Sequence, residues 1–71
     1  MVAASPDKWI WDINKQNCFK AKDIEKFTIM IKNNEYHVRA DLKDGILFIL
    51  EFFKEHVDAI KFIDRFIEVN L

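Results

Sequence analysis

The sequence predicts an α+β fold: an antiparallel β-meander of four to five strands packed against one C-terminal α-helix. Three observations point there. Apolar and polar residues alternate from Lys26 to Phe53, turn residues interrupt that alternation twice, and the period changes after Phe53. A period of two means strands, and a period near 3.6 means a helix.

The first hairpin is the clearest element. Phe27, Ile29 and Ile31 alternate with Lys26, Thr28 and Met30, and Tyr36, Val38, Ala40 and Leu42 alternate with Glu35, His37, Arg39 and Asp41. Asn33-Asn34 lies between the two runs. Asn tolerates the left-handed backbone that a two-residue type I′ loop requires. That loop pairs Lys32 with Glu35, Ile31 with Tyr36, Ile29 with Val38 and Phe27 with Ala40. The apolar side chains then share one face, and Lys26 meets Asp41 on the other.

The second turn is "LKDGI". A two-residue Asp-Gly loop would put Glu51 on the apolar face beside Val38. A three-residue loop, Lys43-Asp44-Gly45, ends with Gly in the left-handed position of a bulged turn. It pairs Leu42 with Ile46, Ala40 with Phe48, Val38 with Leu50 and Tyr36 with Phe52. It also sets Glu51 opposite His37 and diagonal to Arg39. This register buries no charge and is preferred.

"KEHVDAIKFIDRFIEVNL" gathers Ala59, Ile60, Phe62, Ile63, Phe66, Ile67 and Val69 on one broad side, with Lys54, Asp58, Lys61, Asp64, Arg65 and Glu68 opposite. That is an amphipathic helix, with Lys54 and Asp58 at ion-pair spacing. No Ser, Thr or Asp cap precedes Lys54, so its start is open by a couple of residues. Upstream, "KWIWDINKQNCFKA" reads as two short strands around "NKQN". Trp9, Trp11 and Ile13 share a face of the first strand, and the second runs from Cys18 to Ala21. "KDIEKF" turns into the next strand with Ile24 as a core anchor. Residues 1–7 read as a flexible leader and residues 8–71 as a single α+β domain.

With 71 residues the chain is small enough to need dense packing, staples or association. One cysteine, Cys18, excludes an internal disulfide and suits a reducing compartment, the cytoplasm. Seven Phe, two Trp and one Tyr make aromatic packing the available means. A net charge of −1 argues against duplex DNA as a partner. The apolar run "GILFILEFF" is too short to cross a membrane and carries Glu51, and the first residues lack the pattern of a signal peptide.

Little in the sequence carries chemistry. Gly45 is the one glycine, so there is no phosphate-cradling loop, and the one serine, Ser5, lies in the leader. No Cys/His set has metal-ligand spacing. Cys18 with His37 or His56 could form a thiol–imidazole pair, but a structural, partly buried Cys is the better reading. No catalytic residue, cofactor or metal is expected. His37, Arg39 and Glu51 form the one polar cluster, read as a ligand or pH-sensitive patch or, more plainly, as cross-strand charge pairing. Trp9 and Trp11, with Phe19, Lys15, Lys20 and Lys22, have the residue types of a single-stranded nucleic-acid site, yet without a basic excess; core or interface tryptophans fit better.

One helix covers one sheet face. The second face would carry Met30, Leu47, Ile49 and Phe53, so either the N-terminal strands close over it or another chain does. Trp9, Trp11, Met30, Leu47, Ile49 and Phe53 are therefore the interface candidates, with a homodimer or a protein partner as the occupant. Ile24, the "LKDG" turn and the Ala59/Phe62/Ile63 helix resemble a group of short uncharacterised proteins of low-GC bacteria and their phages. That resemblance implies a β-meander with a C-terminal helix and no catalytic residues. The expectation is a non-enzymatic interaction or regulatory module that self-associates through an apolar sheet face. The alternative is a single-stranded nucleic-acid binder using Trp9, Trp11 and nearby lysines.

Overall fold

The computed structural model describes residues 8–71; the expected leader, residues 1–7, lies outside them. The elements run β1 (Trp9–Trp11), β2 (Cys18–Lys20), a 3-10 turn (Ala21–Asp23), β3 (Ile24–Lys32), β4 (Glu35–Leu42), β5 (Leu47–Phe53) and α1 (His56–Asn70). The α+β class is as expected, and the five strands divide into two antiparallel sheets. β1 pairs with β2 alone, and β3-β4-β5 form a three-stranded meander with β4 central. The division falls at the 3-10 turn. Ala21 N–H bonds the Lys8 carbonyl and closes the small hairpin, while Lys43 N–H bonds the Asp23 carbonyl and ties the turn to the β4–β5 loop.

The first hairpin has the register that its pattern and turn dictate. Lys32 pairs with Glu35, Ile31 with Tyr36, Ile29 with Val38, Phe27 with Ala40 and Lys26 with Asp41. Asn33 and Asn34 both take positive φ, 53° and 63°, as a type I′ loop demands. A bulge at Glu25 then lets Ile24 reach Leu42.

The second hairpin starts as expected and then slips. Leu42 N–H bonds the Ile46 carbonyl across the three-residue loop, Gly45 N–H returns to the Leu42 carbonyl, and Asp44 Oδ1 accepts the Ile46 N–H. Ala40 faces Phe48 and Arg39 faces Ile49. A bulge at Leu50 follows, after which Val38 faces Glu51, His37 faces Phe52 and Tyr36 faces Phe53. The expected pairs Val38–Leu50 and Tyr36–Phe52 are therefore corrected. A one-residue slip moves side chains to the opposite face. Phe53, expected on the second face, belongs to the core with Tyr36, and Phe52 takes its place outside.

The core lies between this sheet and α1. Val38 and Ala40 on β4 and Ala59 on α1 are fully buried, and their small volumes let helix and central strand approach closely. Aromatics fill the flanks. Phe66 meets Phe27 edge-on at 5.5 Å, Phe62 meets Phe53 at 5.5 Å, and Phe19 stacks on Phe48 at 4.9 Å. Fully burying such a side chain is worth about 1.5–3 kcal/mol. Phe19 shares this core, so the small hairpin docks on the helix side of the sheet through Ile10 and Phe19.

Two further expectations change here. The apolar stripe of α1 is narrower than its sequence: Ala59 and Phe66 are buried, Phe62 and Ile63 partly so, while Ile60, Ile67 and Val69 are exposed. Ile60 and Ile67 lie about a quarter-turn from Ala59 at 3.6 residues per turn. The helix begins at His56 behind Glu55, which makes no side-chain cap, so Lys54 precedes it and the Lys54–Asp58 pair is not intrahelical.

Gly45 has φ +91°, and an added methyl would meet nothing within 4 Å. Gly45→Ala therefore tests conformation alone. It is expected to destabilise the fold by about 1–2 kcal/mol, the left-handed penalty, in urea unfolding. An unchanged midpoint would show that the loop does not hold this register.

Candidate functional site

Two surfaces gather the residues singled out by sequence. The first is the sheet face turned away from α1. β4 places His37, Arg39 and Asp41 there, β3 places Thr28 and Met30, and β5 places Leu47, Ile49 and Phe52. Asp41, not Glu51, anchors the polar part. It is 4% exposed. Arg39 Nε and Nη2 donate to its two oxygens at 2.6 and 3.2 Å, and Thr28 Oγ1 donates at 2.9 Å. Arg39 Nη1 also donates to Met30 Sδ at 3.1 Å. The Arg39 hydrogen bond, opposed by burial and helped by Thr28 and the positive charges of Arg39 and Lys26, holds the Asp41 carboxyl below its ordinary 3.8.

The expected His37–Arg39–Glu51 cluster does not assemble. The bulge sets Glu51 opposite Val38, and its Oε1 accepts the Phe52 N–H at 3.0 Å. His37 instead packs its ring on Phe52, centroids 4.2 Å apart, with Nε2 3.7 Å from Glu35 Oε1. That spacing is beyond a hydrogen bond, and among the described residues His37 Nε2 is buried without a partner. The apolar candidates Leu47 and Ile49 lie on this face along β5 with Phe52. Leu47 is 50% and Phe52 42% exposed, Ile49 and Met30 less so. Phe19 and α1 sit on the opposite face.

The second surface is the outer side of the small hairpin. Ile10 faces Phe19 and points inward, so Trp9 and Trp11 point outward with Cys18 and Lys20. Trp9, Trp11 and Ile13 were expected on one face; Ile13 lies beyond β1, its N–H bonded to the Ile49 carbonyl at 2.9 Å. Lys20 Nζ stands 5.5 Å over the Trp9 ring. Trp9, Lys20 and Lys22 line a groove of about 540 Å³ whose floor is the Phe19–Phe48 stack, with Asp23 and Asp44 at its rim. Cys18 is an exposed thiol, which corrects its expected partial burial.

Sequence reasoning missed Asp12, which is buried and builds the β1–β2 turn. Its Oδ1 accepts the Gln16 and Asn17 N–H groups at 3.1 and 3.3 Å, and its Oδ2 accepts Asn17 Nδ2 at 2.9 Å. The signal was weak: Asp12 bonds backbone groups four and five residues on, a wider loop than an Asx turn, with Lys15 at φ 59° inside it. The Asn17 side-chain bond does most to hold the Asp12 carboxyl below 3.8; burial opposes it, and the Asn17, Gln16 and Lys15 backbone groups assist.

Among the described residues no group of three His, Cys, Asp or Glu side chains is placed to hold a metal ion. No described helix is long and apolar enough to cross a membrane. No family model, curated protein or solved structure matches the chain.

Asp41 gives a pH test. A lowered folded value means its stabilisation is complete above the ordinary 3.8 and is lost as pH falls through the folded value. Asp41→Asn is expected to destabilise by roughly 1–2 kcal/mol at neutral pH, since it leaves Arg39 without its anion. The gap from wild type should close on acidification below 3.8. A gap that widens there would rule out this role.

Proposed function

We propose that this chain is a non-enzymatic interaction module that self-associates through the apolar part of its open sheet face. The observation that carries this reading is the β5 column of Leu47, Ile49 and Phe52. These side chains stand together on the face opposite α1, two of them half in water. Their neighbours favour a contact of this kind. Arg39 and Asp41 satisfy each other within the chain, so a covering surface would not have to supply a counter-charge for either. The original candidate Phe53 drops out of the surface, and Phe52 enters.

The face has a clear test. Sedimentation equilibrium across the micromolar range should show concentration-dependent association, weakened by Leu47→Lys and Ile49→Lys without loss of the fold. A monomer at every concentration, or two lysine variants that associate as well as the native chain, would remove the reading.

One observation favours a second reading, a single-stranded nucleic-acid binder. Trp9, Lys20 and Lys22 converge on one groove, and Trp11 shares the exposed hairpin face. A base stacked on tryptophan gains about 1–3 kcal/mol. Against it, Asp23 and Asp44 border the same groove. Titration with an oligonucleotide at low salt decides the matter: saturable quenching of tryptophan fluorescence, lost in Trp9→Ala, supports binding, and unchanged emission excludes it.

A further inference from the structure

The two edges of the three-stranded sheet are treated differently by the chain. On the β5 edge, Ile13 N–H already occupies the Ile49 carbonyl at 2.9 Å. On the β3 edge, no comparable bond is made among the described residues. Lys32 and Glu35 flank a two-residue loop and so form a hydrogen-bonded pair. Antiparallel ladders alternate, so Met30, Thr28 and Lys26 also turn their backbone groups toward β4. The N–H and C=O groups of Phe27, Ile29 and Ile31 therefore point away from the sheet. Natural edges are blunted by lysines and bulges. Here Lys26 and the Glu25 bulge guard one end and Lys32 the other, leaving Phe27 to Ile31 between them.

Apolar side chains crowd the same border. Ile31 is 72% exposed. Phe62 leans toward β5, where it meets Phe53. Ile60 and Ile67 lie nearly half a turn around α1 from Phe62, and both are exposed. Ile31 thus lies exposed on the strand whose outward backbone groups make no backbone bond among the described residues.

We propose that a second copy of this chain pairs antiparallel with β3, extending the sheet through a twofold axis. Antiparallel pairing of two identical strands is self-complementary and closes as a dimer. Charge and the bulge select the register. Pairing centred on Ile29 would set each Lys26 opposite Lys32 of the other copy, which like charges oppose. Pairing centred on Thr28 would draw the Glu25 bulge into the new ladder. Pairing centred on Met30 does neither. It sets Ile29 opposite Ile31 of the second copy and Thr28 opposite Lys32, and it covers both Ile31 side chains. The two α1 helices then lie on the same side of one continuous sheet. This contact uses none of Leu47, Ile49 or Phe52, so it stands or falls separately from association through the sheet face.

The test is analytical ultracentrifugation of the full chain as wild type, Ile31→Lys, Ile31→Pro and Leu47→Lys. Ile31→Lys places a charge beside the axis, and Ile31→Pro deletes the outward N–H while leaving the bonds to β4. Both are expected to weaken dimerisation by at least ~10-fold, with far-UV circular dichroism unchanged because Ile31 is solvent-exposed in the single chain. Leu47→Lys should leave this contact intact. Native dimerisation with both Ile31 variants unaffected overturns the edge contact, even where Leu47→Lys abolishes association. Amide exchange gives a readout on the native chain: Ile29 and Ile31 amides should gain protection as concentration rises. Equal exchange at low and high concentration also overturns it.

Discussion

A sheet has two faces, and the described residues supply one α-helix to cover them. Every other feature of the structure answers to that constraint. Both α1 and the N-terminal hairpin come to the same face, where Phe19 and Phe66 share a core with Val38, Ala40 and Ala59. Fully buried small residues at the helix–strand contact permit close approach, and the phenylalanines fill the space on either side. The face turned away from α1 is polar along its centre. Its central strand presents His37, Arg39 and Asp41, while the covered side of the same strand presents Val38, Ala40 and Leu42.

The bulge at Leu50 reconciles the strand with the helix that follows it. A regular β5 would have carried Leu50, Phe52 and the start of α1 in strict alternation. The extra residue keeps Leu50 buried and yet turns Phe53 inward, where it meets Phe62. Phe52 moves outward onto the His37 ring. One inserted residue thus supplies the core with its contact to α1 and gives the open face an aromatic side chain. Bulges commonly re-aim side chains in this way.

The first hairpin was legible because two independent signals agreed. A period-two pattern and a pair of Asn residues each demanded the same register, and each would have failed under a one-residue slip. The second hairpin was legible only as far as its turn. Beyond Ile49 the run "LEFF" offers an apolar residue to either face, so hydrophobicity cannot choose between Phe52 and Phe53. The choice is made by Phe62, on an element whose position the local pattern does not contain. The hairpin tryptophans were read as core or interface residues, and both are exposed. A three-residue strand buries one side chain between its neighbours, and here that is Ile10 opposite Phe19, which leaves the tryptophans on the outer side. Of the candidate polar cluster, His37 and Arg39 were readable from β4 alone. The acidic partner was not, because Asp41 lies on the same strand two residues away, where cross-strand pairing rules do not look.

That same-strand pair changes what the open face is. A central strand of unpaired charges would make covering the face costly, since each ion would lose its water. Arg39 and Asp41 neutralise each other at 2.6 Å, Thr28 satisfies a further carboxylate lone pair, and Met30 accepts the remaining guanidinium arm. The Arg39–Asp41 part of the face is closed on itself, while His37 Nε2 stays without a hydrogen-bond partner among the described residues. The apolar half is displaced to β5, beside the edge where the Ile13 N–H bonds the Ile49 carbonyl. The opposite edge, along β3, makes no such bond among the described residues and carries the exposed Ile31. The apolar column on β5 and the outward edge of β3 thereby lie on opposite sides of one small sheet, and neither interrupts the core that α1 completes.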